Sequence, residues 1–215
     1  MEVLSFVLVS MLEWFALILL TFTMFKLDIR DYVGQIVFSS FLLALVSYVL
    51  IVTLDLLVFA TFLQPPIVFI FYWQMFRIPV FYAGLIMTNG YLAYILLTTI
   101  VYNTVQLFGL ILKPDTLSNF SAQALTAFVA MLAAWLIHKF RVGYTFVPYG
   151  DRANVRLNKI NMRLLLFTVV GYVVMTSFNF LYFLGNYKQL VLVPVILSLG
   201  VLQYWVLKRE ISNEH

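Results

Sequence analysis

Residues 33–76 read VGQIVFSSFLLALVSYVLIVTLDLLVFATFLQPPIVFIFYWQMF, a forty-four-residue apolar stretch whose main breaks are Asp55, Gln64 and the Pro65-Pro66 pair. A helix rises about 1.5 Å per residue, so a single helix of this length would reach about 66 Å, twice the roughly 30 Å of a bilayer core. The stretch is instead long enough for a tight hairpin of two spanning helices. Its turn falls either at Asp55 or at Gln64-Pro65-Pro66, since proline removes a helical donor and restricts the residue before it. The number of spans is the same in both cases.

Working outward, five further apolar stretches approach the roughly 20 residues that a span needs. The full set lies near 3–25, 34–54, 56–76, 79–101, 120–138, 164–184 and 189–207. The expected fold is therefore all-α, a polytopic membrane helix bundle of about seven spans forming a single domain over 1–215. Composition agrees: 64% of residues are hydrophobic, only 10% are charged, and mean hydropathy is +1.01. A soluble domain carries about 25% charged residues. The N-terminal Met1-Glu2-Val3 lacks a basic segment, so the first apolar stretch reads as a span and not as a cleaved signal peptide.

Orientation follows from counting basic residues. With seven spans and the N-terminus outside, Lys26, Arg30, Arg77, Lys139, Arg141, Arg152, Arg156, Lys159, Arg163, Lys208 and Arg209 fall on the cytoplasmic side, and Lys113 and Lys188 outside. Eleven of thirteen on one side supports both the orientation and an odd number of spans. The net charge of +4 is thus a topology signal and not a nucleic-acid signal. The one sizeable loop, 138–163, is basic, and with Lys208 and Arg209 it marks a surface for anionic lipid headgroups or a cytoplasmic partner.

Polar residues inside spans need a reason. Glu13 sits near the middle of the first span and Asn89 near the middle of the fourth, at matching depth, so each is a candidate hydrogen-bond partner of the other. Gln64, Pro65 and Pro66 break the third span, as a packing kink, a pocket wall or a hinge. With Asn103 these make up the candidate ligand-contacting set: Glu13, Gln64, Pro65, Pro66, Asn89 and Asn103. Thr176, Ser177 and Asn179 are expected to bond to neighbouring helices.

Catalytic signatures are missing from the sequence. There is no cysteine, and the two histidines, His138 and His215, lie far apart. No motif for zinc, nucleotide or serine-nucleophile chemistry is found. The expectation is a non-enzyme with no metal and no cofactor, multi-pass in the cell membrane. Its candidate partners are the bilayer, a peptide or small amphiphile, a cytoplasmic or membrane protein, and a second copy of the chain, but not nucleic acid. Two other classes stand beside a receptor-like module. One is a structural or immunity-type protein acting through protein contact. The other is a small proton-coupled carrier using Glu13, against which the missing inverted repeat argues.

The order of features carries a resemblance. About seven spans, an outer N-terminus, a penultimate loop reading RVGYTFVPYGDRANVRLNKIN and a last span running into YWVLKREISNEH resemble the membrane sensor half of bacterial peptide-sensing receptor histidine kinases of the accessory-gene-regulator type. The resemblance covers essentially the whole chain and implies a quorum-sensing receptor role. In that family the last span continues into a phosphoacceptor helix and an ATP-binding domain. No such segment follows Arg209 here, so the expectation is a sensor module that does not itself phosphorylate.

Overall fold

The computed structural model describes residues 2–108, 117–148, 158–183 and 188–213. Its elements are α1 (Glu2–Met24), α2 (Ile29–Tyr48) continued by a π-helical segment (Val49–Thr53), α3 (Leu57–Gln74), α4 (Val80–Leu107), α5 (Leu117–Lys139), α6 (Lys159–Phe183) and α7 (Lys188–Asn213). No strand occurs among the described residues. Six segments are long and apolar enough to cross a bilayer: Val3–Met24, Ile29–Thr53, Val80–Leu107, Asn119–Lys139, Lys159–Ser177 and Leu192–Ser212. The chain is a multi-pass, all-helical membrane protein. The remaining helix, α3, has 18 residues and reaches about 27 Å.

The hairpin turns at Asp55, not at the prolines. Asp55 is exposed and left-handed, with φ 52°, and the Leu56 N–H closes back onto the Leu50 carbonyl at 2.8 Å. Pro65 and Pro66 instead lie inside α3, which runs through them. Pro65 is buried and Pro66 exposed.

Several helices begin earlier or end later than apolar runs alone indicate. Asp28 caps α2 by accepting the Arg30 N–H at 3.0 Å. Asn158 caps α6 by accepting the Asn161 N–H at 2.8 Å. At the other end, α7 carries its helix through Lys-Arg-Glu-Ile-Ser to Asn213.

The central element is α4, which packs against α1, α3, α5, α6 and α7. Two glycines set its closest approaches. A Cβ on Gly90 would collide with the Thr21 side chain of α1, at 2.8 Å from Cγ2 and 2.9 Å from Cβ. A Cβ on Gly171 of α6 would meet Thr88 Cγ2 at 2.8 Å and Leu202 Cδ1 at 3.0 Å. Small residues that let backbones approach are the usual currency of helix packing where no hydrophobic effect drives association. Outward-facing side chains such as Phe38, Phe41, Phe128, Leu132, Val173 and Leu197 are exposed, the arrangement expected when lipid is the solvent.

At one end of the bundle the 25–28 turn, the 75–79 turn and the 140–148 loop converge. Phe22, Tyr32 and Phe76 form an edge-to-face cluster, with ring centroids 4.9–5.9 Å apart. Phe146 packs edge-on against Phe25 at 6.3 Å.

Candidate functional site

Among the described residues, two polar nodes each join three parts of the chain. The first joins three helices at Ser47 of α2. Trp14 Nε1 of α1 donates to Ser47 Oγ at 3.1 Å, and Gln64 Nε2 of α3 donates to the same oxygen at 3.0 Å. Ser47 Oγ in turn donates to the Leu43 carbonyl at 2.9 Å. One hydroxyl thus uses its hydrogen and both lone pairs, a fully satisfied arrangement for a buried group. Gln64 directly precedes Pro65-Pro66, so the double-proline turn of α3 is anchored to α1 and α2 at this point. The Trp14 ring also meets Tyr91 of α4 edge-on at 6.0 Å.

Glu13 is half-buried beside this node and makes no hydrogen bond with any described residue. Its electrostatic neighbour on α4 is Tyr94. The hydroxyls of Thr88, Tyr91 and Tyr94 recur at one-turn spacing along α4, all buried and all without a hydrogen-bond partner among the described residues. Lone buried polar groups usually signal strain or function, because leaving them unpaired is costly.

The second node corrects the sequence-based pairing. Asn89 is fully buried, but its partner is Gln203 of α7 and not Glu13. Gln203 Nε2 donates to Asn89 Oδ1 at 3.2 Å, while Asn89 Nδ2 donates to the Leu85 carbonyl at 2.8 Å. Gln203 Oε1 accepts the Tyr144 hydroxyl at 2.6 Å. Tyr144 belongs to the loop after α5, so a chain of bonds runs from the interior of α4 through α7 to that loop.

The same loop is fastened twice more. The Tyr144 N–H donates to the Met24 carbonyl at 2.9 Å. The Glu210 carboxylate of α7 accepts the Thr145 N–H at 2.9 Å, the Phe146 N–H at 3.1 Å and the Thr145 hydroxyl. Gly143, at φ 137°, makes the approach feasible, since a Cβ there would sit 2.8 Å from the Met24 oxygen. Burial, with Glu210 nearby, holds the Tyr144 hydroxyl pKa above its ordinary value of 10.0. Beside this loop, a crevice lined by Phe22, Leu27, Tyr32, Phe76, Arg77, Ile78 and Pro148 has a volume of about 10 Å³. That is room for roughly one water.

The remaining sequence candidates separate. Asn103 is exposed near the far end of α4, about 21 Å along the helix from Asn89. Arg152 and Arg156 lie outside the described residues. Arg141 is exposed with φ 54°, and Lys159 is exposed at the start of α6. Arg163 and Lys208 gather around Trp205: the Arg163 guanidinium centre lies 4.8 Å and Lys208 Nζ 5.0 Å from the ring centroid. Arg209 is half-buried on α7. Thr176 bonds within its own helix, to the Tyr172 and Val173 carbonyls at 3.0 Å. Ser177 is exposed, and the side chain of Asn179 lies outside the described residues. Among the described residues no cluster of His, Asp and Glu could hold a metal.

Sequence reasoning overlooked Trp14, Ser47, Tyr144 and Gln203, and read Glu210 only as part of a contact surface in the C-terminal Glu-Ile-Ser-Asn-Glu-His segment. Gln203, an amide deep within the last apolar run, carried the only comparable signal. The chain matches no family model, no curated protein and no solved structure.

Proposed function

We propose that this chain is a non-catalytic, receptor-like protein of the cell membrane, with seven spans, its N-terminus outside and its C-terminus in the cytoplasm. A peptide or small amphiphile engages its outer half, and the resulting shift of α4 against α7 reaches a protein partner at the basic face. The observation that carries this reading is the Asn89–Gln203–Tyr144 chain of hydrogen bonds, which links a fully buried amide to the loop held by Glu210. The eleven-to-two distribution of basic residues supports the orientation. The resemblance to peptide-sensing receptors supports the class of ligand. Catalytic turnover is not part of the reading, because a nucleophile, a base and a stabiliser do not converge at any one place among the described residues.

One observation favours a second reading, a structural or immunity-type protein acting by contact alone. Gly90 and Gly171 lock α4 closely to its neighbours, and such packing suits a rigid scaffold.

The absence of cysteine makes single-cysteine labelling clean. Val142 is 61% exposed in the loop, so Val142→Cys reports on it. Adding Asn89→Leu, deep in the bundle, should speed labelling of that cysteine in permeabilised cells, and so should Pro65→Ala with Pro66→Ala in a protein that still inserts. Labelling rates identical to the parent in both would favour the scaffold reading. A reporter fused after His215 should be cytoplasmic and a tag near Asp115 labelled from outside. External labelling of the 141–159 loop in intact cells would overturn the orientation.

A further inference from the structure

We propose that Arg163, Trp205 and Lys208 form a binding site for the phosphate headgroup of an anionic phospholipid. The two cations come from different helices and share one indole. The Arg163 guanidinium centre on α6 and Lys208 Nζ on α7 each lie within 5.0 Å of the Trp205 centroid. The ring is itself held by Phe167, one turn after Arg163, stacked at 6.1 Å with an interplanar angle of 19°. Cation–π attraction explains why one cation rests there. Two positive charges within about 5 Å of one ring repel each other, and a bound anion would offset that repulsion.

The protein supplies no such anion among the described residues. Neither cation has an ion-pair partner there. α6 contains no acidic residue. The only one on α7, Glu210, is committed to the amides of Thr145 and Phe146. Arg209 adds a buried Nε with no hydrogen-bond partner among the described residues, and Lys159 lies one turn before Arg163.

Depth and chemistry select a lipid. The apolar run of α7 ends at Leu207 and turns polar at Lys208-Arg209, the headgroup level where tryptophan collects in membrane proteins. Leu166 (58%) on α6 and Leu197 (61%) on α7 are exposed and offer apolar surface at acyl-chain depth. A guanidinium fork beside a point-charge ammonium suits a phosphodiester oxygen pair. A zwitterionic headgroup would bring a third cation into the cluster, so the occupant is a lipid of net negative charge.

The test is native mass spectrometry of the full chain released from detergent with phosphatidylglycerol or phosphatidylcholine. Phosphatidylglycerol should be retained at least tenfold better, and Arg163→Gln with Lys208→Gln should abolish that preference while leaving phosphatidylcholine retention unchanged. Arg163→Lys, which keeps the charge but not the fork, should fold normally and weaken the preference partway. Equal retention of the two lipids by the unmodified protein would overturn the site. Loss of bound phosphatidylglycerol on adding millimolar inorganic phosphate would also overturn it, reassigning the cluster to a free anion. If the double variant does not accumulate, the unmodified protein and Arg163→Lys still decide the question.

Discussion

Gly90→Ala adds one methyl group to α4 where α1 crosses it. That methyl would lie 2.8 Å from Thr21 Cγ2 and 2.9 Å from Thr21 Cβ, with the hydroxyl closer still. Thr21 is fully buried and its hydroxyl is tied to the Leu17 carbonyl at 2.6 Å, so a rotamer change offers little relief. Its Cβ moves only with the α1 backbone, and the helices must separate. Overpacking of this kind costs about 1–3 kcal/mol, and here the immovable Cβ argues for the upper half, even after about 1 kcal/mol of helix propensity gained by alanine. For a chain of this size about 2–3 kcal/mol corresponds to a fall of roughly 4–12 °C in the unfolding midpoint. The assay is thermal unfolding in mild detergent followed by helical circular dichroism. Gly200→Ala is the control, because a Cβ there meets nothing within 4 Å, and its midpoint should stay level or rise. Thr21→Ala removes two of the three clashing atoms and should recover at least half the loss when combined with Gly90→Ala. Equal midpoints for Gly90→Ala and Gly200→Ala would refute the close crossing of α1 and α4.

Glu210→Ala removes the acceptor for two loop amides and one hydroxyl. Amide exchange at Thr145 and Phe146 should accelerate at least tenfold, equivalent to about 1.4 kcal/mol, with the rest of the bundle unaffected. Tyr144 has its folded pKa raised by burial and by Glu210. Its contribution to stability is therefore complete below the unfolded value of about 10 and is lost as pH rises through the folded one. Tyr144→Phe should flatten the alkaline decline of the midpoint relative to the parent. Glu13 lacks a hydrogen bond among the described residues, so Glu13→Gln should be near neutral and Glu13→Leu should raise the midpoint, whereas Glu13→Lys should lower the inserted yield. A clear loss of stability in Glu13→Leu would point to a partner that the structure does not give it. Arg77→Gly relieves a left-handed residue at φ 53° but removes a cation from the end of α3. The two effects, each about 1 kcal/mol, should nearly cancel in thermal unfolding, while topology reporters should show more inverted protein.

The all-helical membrane class was legible because a bilayer imposes its own ruler: about 20 apolar residues per crossing leaves few ways to divide this sequence. The ends were less legible, and for a specific reason. Asp28 and Asn158 start α2 and α6 several residues before their apolar runs. A cap is one side chain bonding one amide in the aqueous layer, which hydropathy does not see. The site was harder still. Position along a helix fixed the depth of Glu13 and Asn89, but depth says nothing about the direction a side chain takes around the helix axis. Asn89 faces α7, where Gln203 meets it. Tyr144 joins them only because Gly143 lets the loop pass close to the Met24 carbonyl, a tertiary fact with no local pattern in the sequence.

Three of the basic residues also shape the backbone at helix ends. Lys26, Arg77 and Arg141 all adopt positive φ, at 45°, 53° and 54°, and each lies within three residues of the end of α1, α3 or α5. Glycine is the usual residue there, because a Cβ costs about 1–2 kcal/mol in this conformation. At α1 and α5 the bonds are those of a Schellman cap: Leu27 N–H to Phe22 O at 2.9 Å and Lys26 N–H to Thr23 O at 3.3 Å, then Val142 N–H to Ile137 O and Arg141 N–H to His138 O, both at 3.1 Å. A cation at a helix C-terminus recovers about 0.3–1 kcal/mol from the dipole, which offsets much of that strain. Glycine would cap these helices at lower conformational cost but would carry no charge. The choice of lysine and arginine is therefore better explained by the membrane than by the fold. In the proposed orientation, the residues that follow α1, α3 and α5 would also hold those ends on the face where anionic lipid and the positive-inside rule favour them. The Arg163–Trp205–Lys208 cluster places two further cations where the start of α6 meets the end of α7.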